Sequence, residues 1–405
     1  MQEIVKVGCR VFQKGMRAAL PVLPYRKPQV LHHVTDIPGT LQRLDSTSVL
    51  LVTDGPIHAL GITASLEEAL ADANIACAVF ETIPNPTTTV VEEAVKLYNE
   101  NNCTALIGFG GGSSMDTAKA VGARIAWPNR TCQQMGGILR VWKRIPPLFA
   151  IPTTAGTGSE TTVAAVVVDA ETRHKYAIMD FPLIPRYAVL DPETTRTLPP
   201  HITSTTGMDA LTHAVEAYIG CSTTSDTRHE ALSAVKLIFL YLENAYNDGD
   251  DMMARKQMLL ASFLAGDSFS KSYVGYVHAV AHSLGGKYDT PHGLANAVVL
   301  PYVLEAYGSA IHGKLHDLAF AAGVAGKDES DAEAAAKFIE AIREKNRAMN
   351  IPATLPEVKE EDIPELARTA AKEANPLYPV PVIWDAAQLE RFYYDIMETK
   401  EEDAR

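Results

Sequence analysis

The chain has 405 residues, 47% hydrophobic and 21% charged, near the average for folded globular proteins. That length carries two or three domains' worth of core, so collagen-like, disulfide-scaffold and disordered classes drop out. The net charge of −13 argues against a nucleic-acid partner, since phosphate binding needs a basic face. Cys9, Cys77, Cys103, Cys132 and Cys221 are scattered without a C-x-x-C pair, which suits reduced thiols and a cytoplasmic protein. No apolar run approaches the roughly 18 residues of a membrane helix, so no membrane partner is expected. The first 20 residues, with Glu3, Lys6, Arg10, Lys14 and Arg17, form a cationic helical extension without a signal-peptide core. An organelle transit peptide is the alternative to a cytoplasmic location.

The first half alternates strand and helix signals. Strands are predicted at Ser48–Asp54, Cys77–Phe80, Ala105–Phe109, Leu148–Ile151, Val163–Asp169, Tyr176–Met179 and Ala188–Leu190, with helices at Ala64–Ala73 and Val90–Asn99. Such alternation predicts a mainly parallel sheet covered on both faces. After Pro199-Pro200 helical patterns take over, at Gly207–Tyr218, His229–Asn247, Met252–Leu284, Leu294–Tyr307 and Glu329–Met349. The expected division is therefore an α/β domain over 1–196, including the extension, and an all-α domain over 197–405. The charged tail Glu398–Arg405 is expected to fray.

Three polar loops close predicted strands. Gly110-Gly111-Gly112-Ser113-Ser114-Met115-Asp116 runs into a helical pattern, and consecutive glycines there let backbone N–H groups approach a diphosphate at a helix N-terminus. The same loop also reads as a plain strand-to-helix turn with Ser113, Ser114 or Asp116 as cap, and it is not G-x-G-x-x-G. Asp54 ends a strand, where an acid accepts hydrogen bonds from a ribose and repels a 2′-phosphate, although Asp-Gly is also a common turn. Pro152–Glu160 (PTTAGTGSE) offers hydroxyls and glycines to a phosphate or ribose. Together the three loops predict a nucleotide site.

Three of the twelve histidines, His278, His282 and His292, crowd into fifteen residues. Asp209 and His213 stand at i, i+4, as do His278 and His282, so each pair shares a helix face. Carboxylate and imidazoles from facing helices hold divalent metals, and this donor mixture suits Fe²⁺ or Zn²⁺ better than Mg²⁺ or Ca²⁺. Spacing nominates the 278/282 pair first and does not decide which four of the five groups bind.

The chain resembles the iron-containing (group III, metal-dependent) alcohol dehydrogenases. The resemblance rests on Gly110–Asp116, Pro152–Glu160, Gly207–Tyr218 (GMDALTHAVEAY) and His278–Pro301 (HAVAHSLGGKYDTPHGLANAVVLP), with Asn85-Pro86 and Asn375–Pro379 (NPLYP) also fitting. It implies an α/β dinucleotide-binding domain, an all-α metal-binding domain and an active site in the cleft between them. It implies Asp209, His213, His278 and His292 as ligands of one divalent metal, Fe²⁺ first and Zn²⁺ second, and His282 as a catalytic residue near the nicotinamide. Cofactor residues implied are Asp54, Asn85, Gly111, Gly112, Ser113, Asp116, Thr153, Thr154 and Lys175, with NAD expected over NADP because of Asp54. Phe269 is implied to line the substrate pocket, and Ala164 stands where some relatives have an asparagine.

The expected activity is reversible hydride transfer between a small alcohol and NAD, with the metal as Lewis acid and His282 passing the alcohol proton to water. A hydroxyacid–oxoacid transhydrogenase or a dehydroquinate-synthase-like enzyme on the same scaffold is the alternative. A metal- or nucleotide-binding protein without catalysis is the non-enzymatic one. A homodimer or larger homo-oligomer is the expected assembly.

Overall fold

The computed structural model describes residues 3–398, so all but the first residue of the charged tail lies outside the described residues. The chain begins with α1 (Glu3–Ala19) and continues as nine strands and fifteen further α-helices among the described residues. Two units result, one of Pro24–Leu198, the other of the residues up to Leu23 together with those from Pro199 onward. The extension expected within the α/β domain therefore belongs with the helical unit. The reason is chemical: Arg10 donates to the Val380 and Pro381 carbonyls at 2.6 Å each, and Gln13 Nε2 donates to the Tyr378 carbonyl at 2.7 Å.

In the α/β unit, β1 (Gln29–Leu31), β2 (Ser48–Asp54), β3 (Ala76–Thr82), β4 (Ala105–Gly110), β5 (Gly137–Ile138), β6 (Leu148–Pro152), β7 (Ala164–Val168), β8 (Lys175–Met179) and β9 (Tyr187–Val189) are joined by α2 (Ile37–Gln42), α3 (Gly55–Ala59), α4 (Ala64–Asp72), α5 (Thr88–Glu100), α6 (Gly112–Ala126) and α7 (Cys132–Met135). Six strands form one sheet in the order β1-β9-β6-β4-β2-β3, every pair parallel. Alternate side chains serve opposite faces. Leu50 and Val52 join Leu106 and Leu148 in one core, while Val49 and Leu51 join Ile107, Phe149 and Ile151 in the other. Burial on both faces is why these strands read as unbroken apolar runs.

The order also fixes the location of the loops. From β2 the chain goes outward to β3, then returns past β2 to β4, so the direction of winding changes between β2 and β4. At such a switch the carboxyl ends of adjacent strands leave a crevice, and Asp54, the glycine loop and Thr153 all lie at carboxyl ends of β2, β4 and β6. One expectation is corrected: β7 and β8 leave the parallel sheet and pair antiparallel, with β5 parallel to β8, in a separate three-stranded sheet. Their short hairpin connection permits only antiparallel pairing, since a parallel return needs a long crossover.

A buried lysine ties this second sheet to the glycine-loop helix. Lys119 of α6, fully enclosed, donates to Ser159 Oγ (2.9 Å), Thr162 Oγ1 (2.8 Å) and the Ala164 carbonyl (2.8 Å). Burial lowers its pKa to about 8 against the opposing pull of Asp116 and Glu160. Burial likewise pushes the Glu160 carboxyl up to about 7, outweighing its own backbone N–H and the charge of Lys119. A carboxyl raised on folding contributes stability at acid pH that disappears as pH rises through its folded value. Urea unfolding followed from pH 4.5 to about 7 should show a falling midpoint for this unit, and Glu160→Gln should flatten that fall.

The helical unit holds α8 (Pro200–Ile219), α9 (Ser225–Asn247), α10 (Met252–Ser272), α11 (Tyr276–Tyr288), α12 (His292–Tyr307), α13 (His312–Ala322), α14 (Asp331–Ala348), α15 (Ile363–Ala374) and α16 (Ala386–Ile396). Helix α8 is buried on nearly every side from Gly207 to Ile219, packed by α9, α10 and α12. The single helix predicted over Met252–Leu284 is in fact two. Tyr273 takes a left-handed φ of +62° and Gly275 an extended backbone, which ends α10 and starts α11. A Cβ on Gly275 would lie 2.7 Å from Glu216 Oε1, so no larger residue fits there without displacing that carboxylate.

Candidate active site

The helix break builds the candidate site of the helical unit. A new helix N-terminus exposes unpaired N–H groups and a positive dipole end. Glu216, on the preceding buried helix, answers both: Gly275 N–H donates to Oε2 at 2.8 Å and Val277 N–H to Oε1 at 2.7 Å. The same Oε2 lies 2.6 Å from His278 Nδ1. A carboxylate only accepts, so His278 carries its proton on Nδ1, and its Nε2 is left with a lone pair in the neutral ring. That Nε2 is buried and has no hydrogen-bond partner.

Around it stand Asp209 and His213 from α8 and His292 at the start of α12. One donor atom from each of Asp209, His213, His278 and His292 lies within 4.8 Å of all the others. From Asp209 Oδ1, His292 Nε2 is 3.4 Å away, His278 Nε2 3.7 Å and His213 Nδ1 3.9 Å, all longer than an ordinary N–H···O bond. Asp209, His213 and His278 are buried, whereas the His292 side chain is 39% exposed, leaving one open side. Burial pushes Asp209 up, yet the imidazoles of His213 and His292 outweigh it and hold the carboxyl well below its usual range. Burial pulls His278 down, but Asp209 and Glu216 bring it to about 9. A buried, convergent set of one carboxylate and three imidazoles, one with an Nε2 that no hydrogen bond engages, fits a four-ligand transition-metal site.

Further groups hold the ring orientations. Asn296, one turn after His292, donates from Nδ2 to Asp209 Oδ1 at 2.7 Å, and the same nitrogen is 3.1 Å from His292 Nε2. An amide N–H donates, so His292 Nε2 is lone-pair-bearing as well. Phe269 stacks on His213 with centroids 4.1 Å apart and planes 12° apart, which fixes that imidazole. His282, which spacing alone would have paired with His278, is not in the four-residue group. Its Nδ1 is 2.6 Å from Glu373 Oε1, and its ring lies on that of His292 at 5.1 Å.

The α/β unit carries a candidate site of its own. Gly110 has φ +151°, and a Cβ there would sit 2.8 Å from Ser114 Cβ, so only glycine turns this sharply from β4 into α6. Gly111 is the N-cap of α6 and Gly112 its first residue, which leaves their N–H groups at the positive helix end. A Cβ on Gly110 would also meet Asp54 Oδ2 at 3.3 Å, so that carboxylate borders the glycine loop while its Oδ1 accepts from Ile57 N–H at 2.9 Å. Ser113 Oγ accepts from the Asn85 N–H at 3.3 Å, and Lys175 Nζ donates to Asn85 Oδ1 at 2.9 Å. Thr153 is buried with its N–H on the Gly110 carbonyl at 3.0 Å, and the Thr154 hydroxyl is buried without a partner. Asp116 is different. Ser159 Oγ (2.8 Å) and Val166 N–H (3.0 Å) occupy its two oxygens, so it joins α6 to the PTTAGTGSE loop and to β7.

Glu216, Asn296, Lys119 and Glu373 were not among the predicted residues. Glu216 had a signal: with Asp209 and His213 it makes an i, i+4, i+7 stripe on one face. Asn296 stands four residues after His292. Glu373, 91 residues beyond His282, had none.

Comparison with known proteins shows the family of the chain. The iron-containing alcohol dehydrogenase family model matches residues 30–192, and that of the C-terminal part of the Fe-containing alcohol dehydrogenase family matches 203–394. The chain is 37% identical to the NAD-dependent methanol dehydrogenase of Bacillus methanolicus, over 88% of this chain and 94% of that protein. It is 39% identical to alcohol dehydrogenase 4 of Saccharomyces cerevisiae, over 82% and 87% of the two chains. A solved 1,3-propanediol oxidoreductase superposes with a TM-score of 0.88 at 34% identity, covering 92% of this chain and 98% of that one. The protein belongs to the iron-containing alcohol dehydrogenase family.

Because Glu216 sets which nitrogen of His278 is free, removing its charge should weaken a divalent cation here by about 10- to 100-fold. Zinc titration of metal-stripped Glu216→Gln against the parent protein measures this directly.

Proposed function

We propose that this chain is a metal-dependent, NAD(H)-linked alcohol dehydrogenase that transfers hydride reversibly between a small alcohol and NAD. The observation that carries the proposal is the buried convergence of Asp209, His213, His278 and His292, with His278 held by Glu216 as an Nε2 donor. A divalent cation held by these four, Fe²⁺ first and Zn²⁺ second, supplies Lewis-acid polarisation of the alcohol or carbonyl oxygen when bound.

The chain's own residues do the rest. Gly111, Gly112 and Ser113 offer backbone N–H groups at the α6 N-terminus to the cofactor diphosphate, where the helix end favours negative charge. Asp54 accepts from ribose hydroxyls and repels a 2′-phosphate, which favours NAD over NADP. Thr153 and Thr154 offer polar groups on the neighbouring strand end, and Asn85 with Lys175 closes the other flank. Asp116 acts from behind, holding the two loops together. His282 takes the alcohol proton at its free nitrogen and returns it in the reverse direction. Phe269 keeps His213 in place and lines the substrate side.

Relatives named for methanol, 1,3-propanediol and lactaldehyde support a small, short-chain substrate. No helix among the described residues is long and apolar enough to cross a membrane, and five free cysteines support a reducing, cytoplasmic setting. A homodimer or larger homo-oligomer is the proposed assembly.

Chelation should abolish cofactor reduction with short-chain alcohols, and Fe²⁺ or Zn²⁺ should restore it; full activity in a metal-free preparation would overturn the proposal. Asp209→Ala should retain no metal. His282→Ala should keep its metal and lose turnover by about 10²-fold or more, read by steady-state kinetics beside metal analysis. A requirement for added free NAD separates this reading from a transhydrogenase with tightly held cofactor.

A further inference from the structure

His282 does not hang freely beside the metal group. Its Nδ1 is 2.6 Å from Glu373 Oε1, and Tyr378 OH donates to that same oxygen at 2.7 Å. Two groups, one from α11 and one from the loop after α15, thus converge on a carboxylate oxygen carried by the last turn of α15. The loop is itself anchored. Gln13 of α1 donates to the Tyr378 carbonyl at 2.7 Å and the Pro376 carbonyl at 3.3 Å, and Arg10 grips the Val380 and Pro381 carbonyls. The Tyr378 side chain is buried and the Gln13 amide is buried with it. A continuous run of contacts therefore leads from the N-terminal helix through Tyr378 and Glu373 to His282.

We propose that Glu373 is a positioning residue for His282: it holds the ring by Nδ1–H, keeps it stacked on His292, and so leaves Nε2 as the nitrogen that handles the substrate proton. The N-terminal helix and Tyr378 secure Glu373 in that posture. A carboxylate only accepts, so the Nδ1–H tautomer is imposed whenever the ring is neutral. The same logic operates a few ångströms away, where Glu216 holds His278 by Nδ1. The two imidazoles, four residues apart on α11, are each oriented by a carboxylate from another helix, one beside the proposed metal and the other outside the ligand group.

The proposal rests on the catalytic reading of His282 given above, so its test has one arm that needs no turnover. In metal-free protein labelled with ¹⁵N-histidine, the His282 signals, identified by their loss in His282→Ala, should show protonated Nδ1 and bare Nε2. Glu373→Ala should convert them to a mixture of tautomers, whereas Glu373→Gln, which still offers an acceptor to both donors, should keep the Nδ1–H form. In the metal-loaded enzyme, Glu373→Ala should lower kcat by about tenfold or more with unchanged metal content, and should cause no further loss in a His282→Ala background. Glu373→Gln should retain most of the activity. An Nε2–H tautomer in the parent protein, or additive losses in the double variant, would overturn the positioning role. A normal tautomer pattern with no alcohol-dependent turnover from the parent enzyme would instead overturn the catalytic reading and leave the Glu373 contact intact.

Discussion

A carboxylate buried without solvent is stable only if its oxygens accept enough hydrogen bonds to replace water, and Glu216 meets that demand with groups that the site also needs. Two of its donors are backbone N–H groups at the start of α11, and the third is His278. The helix must therefore begin at that point, Gly275 must remain small, and His278 must present its other nitrogen to Asp209. Break the carboxylate and three features lose their cause together: the interruption between α10 and α11, the N-terminal cap and the tautomer of a ligand-type histidine. The geometry of the four-residue group follows from this one buried charge more than from any of its members.

The α/β unit solves a related problem with a buried cation. Lys119 places its ammonium among two hydroxyls and a carbonyl, and Asp116 takes a hydroxyl and a backbone N–H from the same segments. Between them they bind α6, the PTTAGTGSE loop and β7 into one polar brace behind the glycine turn. The backbone proposed to face a diphosphate is thus supported by groups that need never touch it. Desolvation explains why both charges have shifted titration and why neither tolerates loss of its partners.

Much of the site was legible in one dimension because its chemistry is local. Asp209 and His213 share a helix face by spacing, Gly110–Asp116 declares a strand-to-helix turn by composition, and the cluster of histidines after His278 is conspicuous against twelve in the whole chain. Around the site, what stayed hidden was long-range pairing. Spacing favoured His278 with His282, yet those rings take different partners, because Glu216 reaches one and Glu373 the other. The apolar pattern of Met252–Leu284 gave no sign of a break that depends on a carboxylate 59 residues earlier. Asp116 reads as a cofactor group or a cap, and its oxygens are instead spent on the loop and strand beyond.

The amino-acid sequence alone determined the alternation of strand and helix, the turn chemistry at each strand end and the donor types available to a cation, since periodicity, glycine and side-chain chemistry are properties of neighbouring residues. Only the tertiary structure decided which imidazoles meet Asp209, which nitrogen each one presents, and that the N-terminal helix joins the helical unit. Those outcomes depend on hydrogen-bond partners dozens to hundreds of residues apart, and a buried charge such as Glu216 selects the arrangement that supplies its hydrogen bonds.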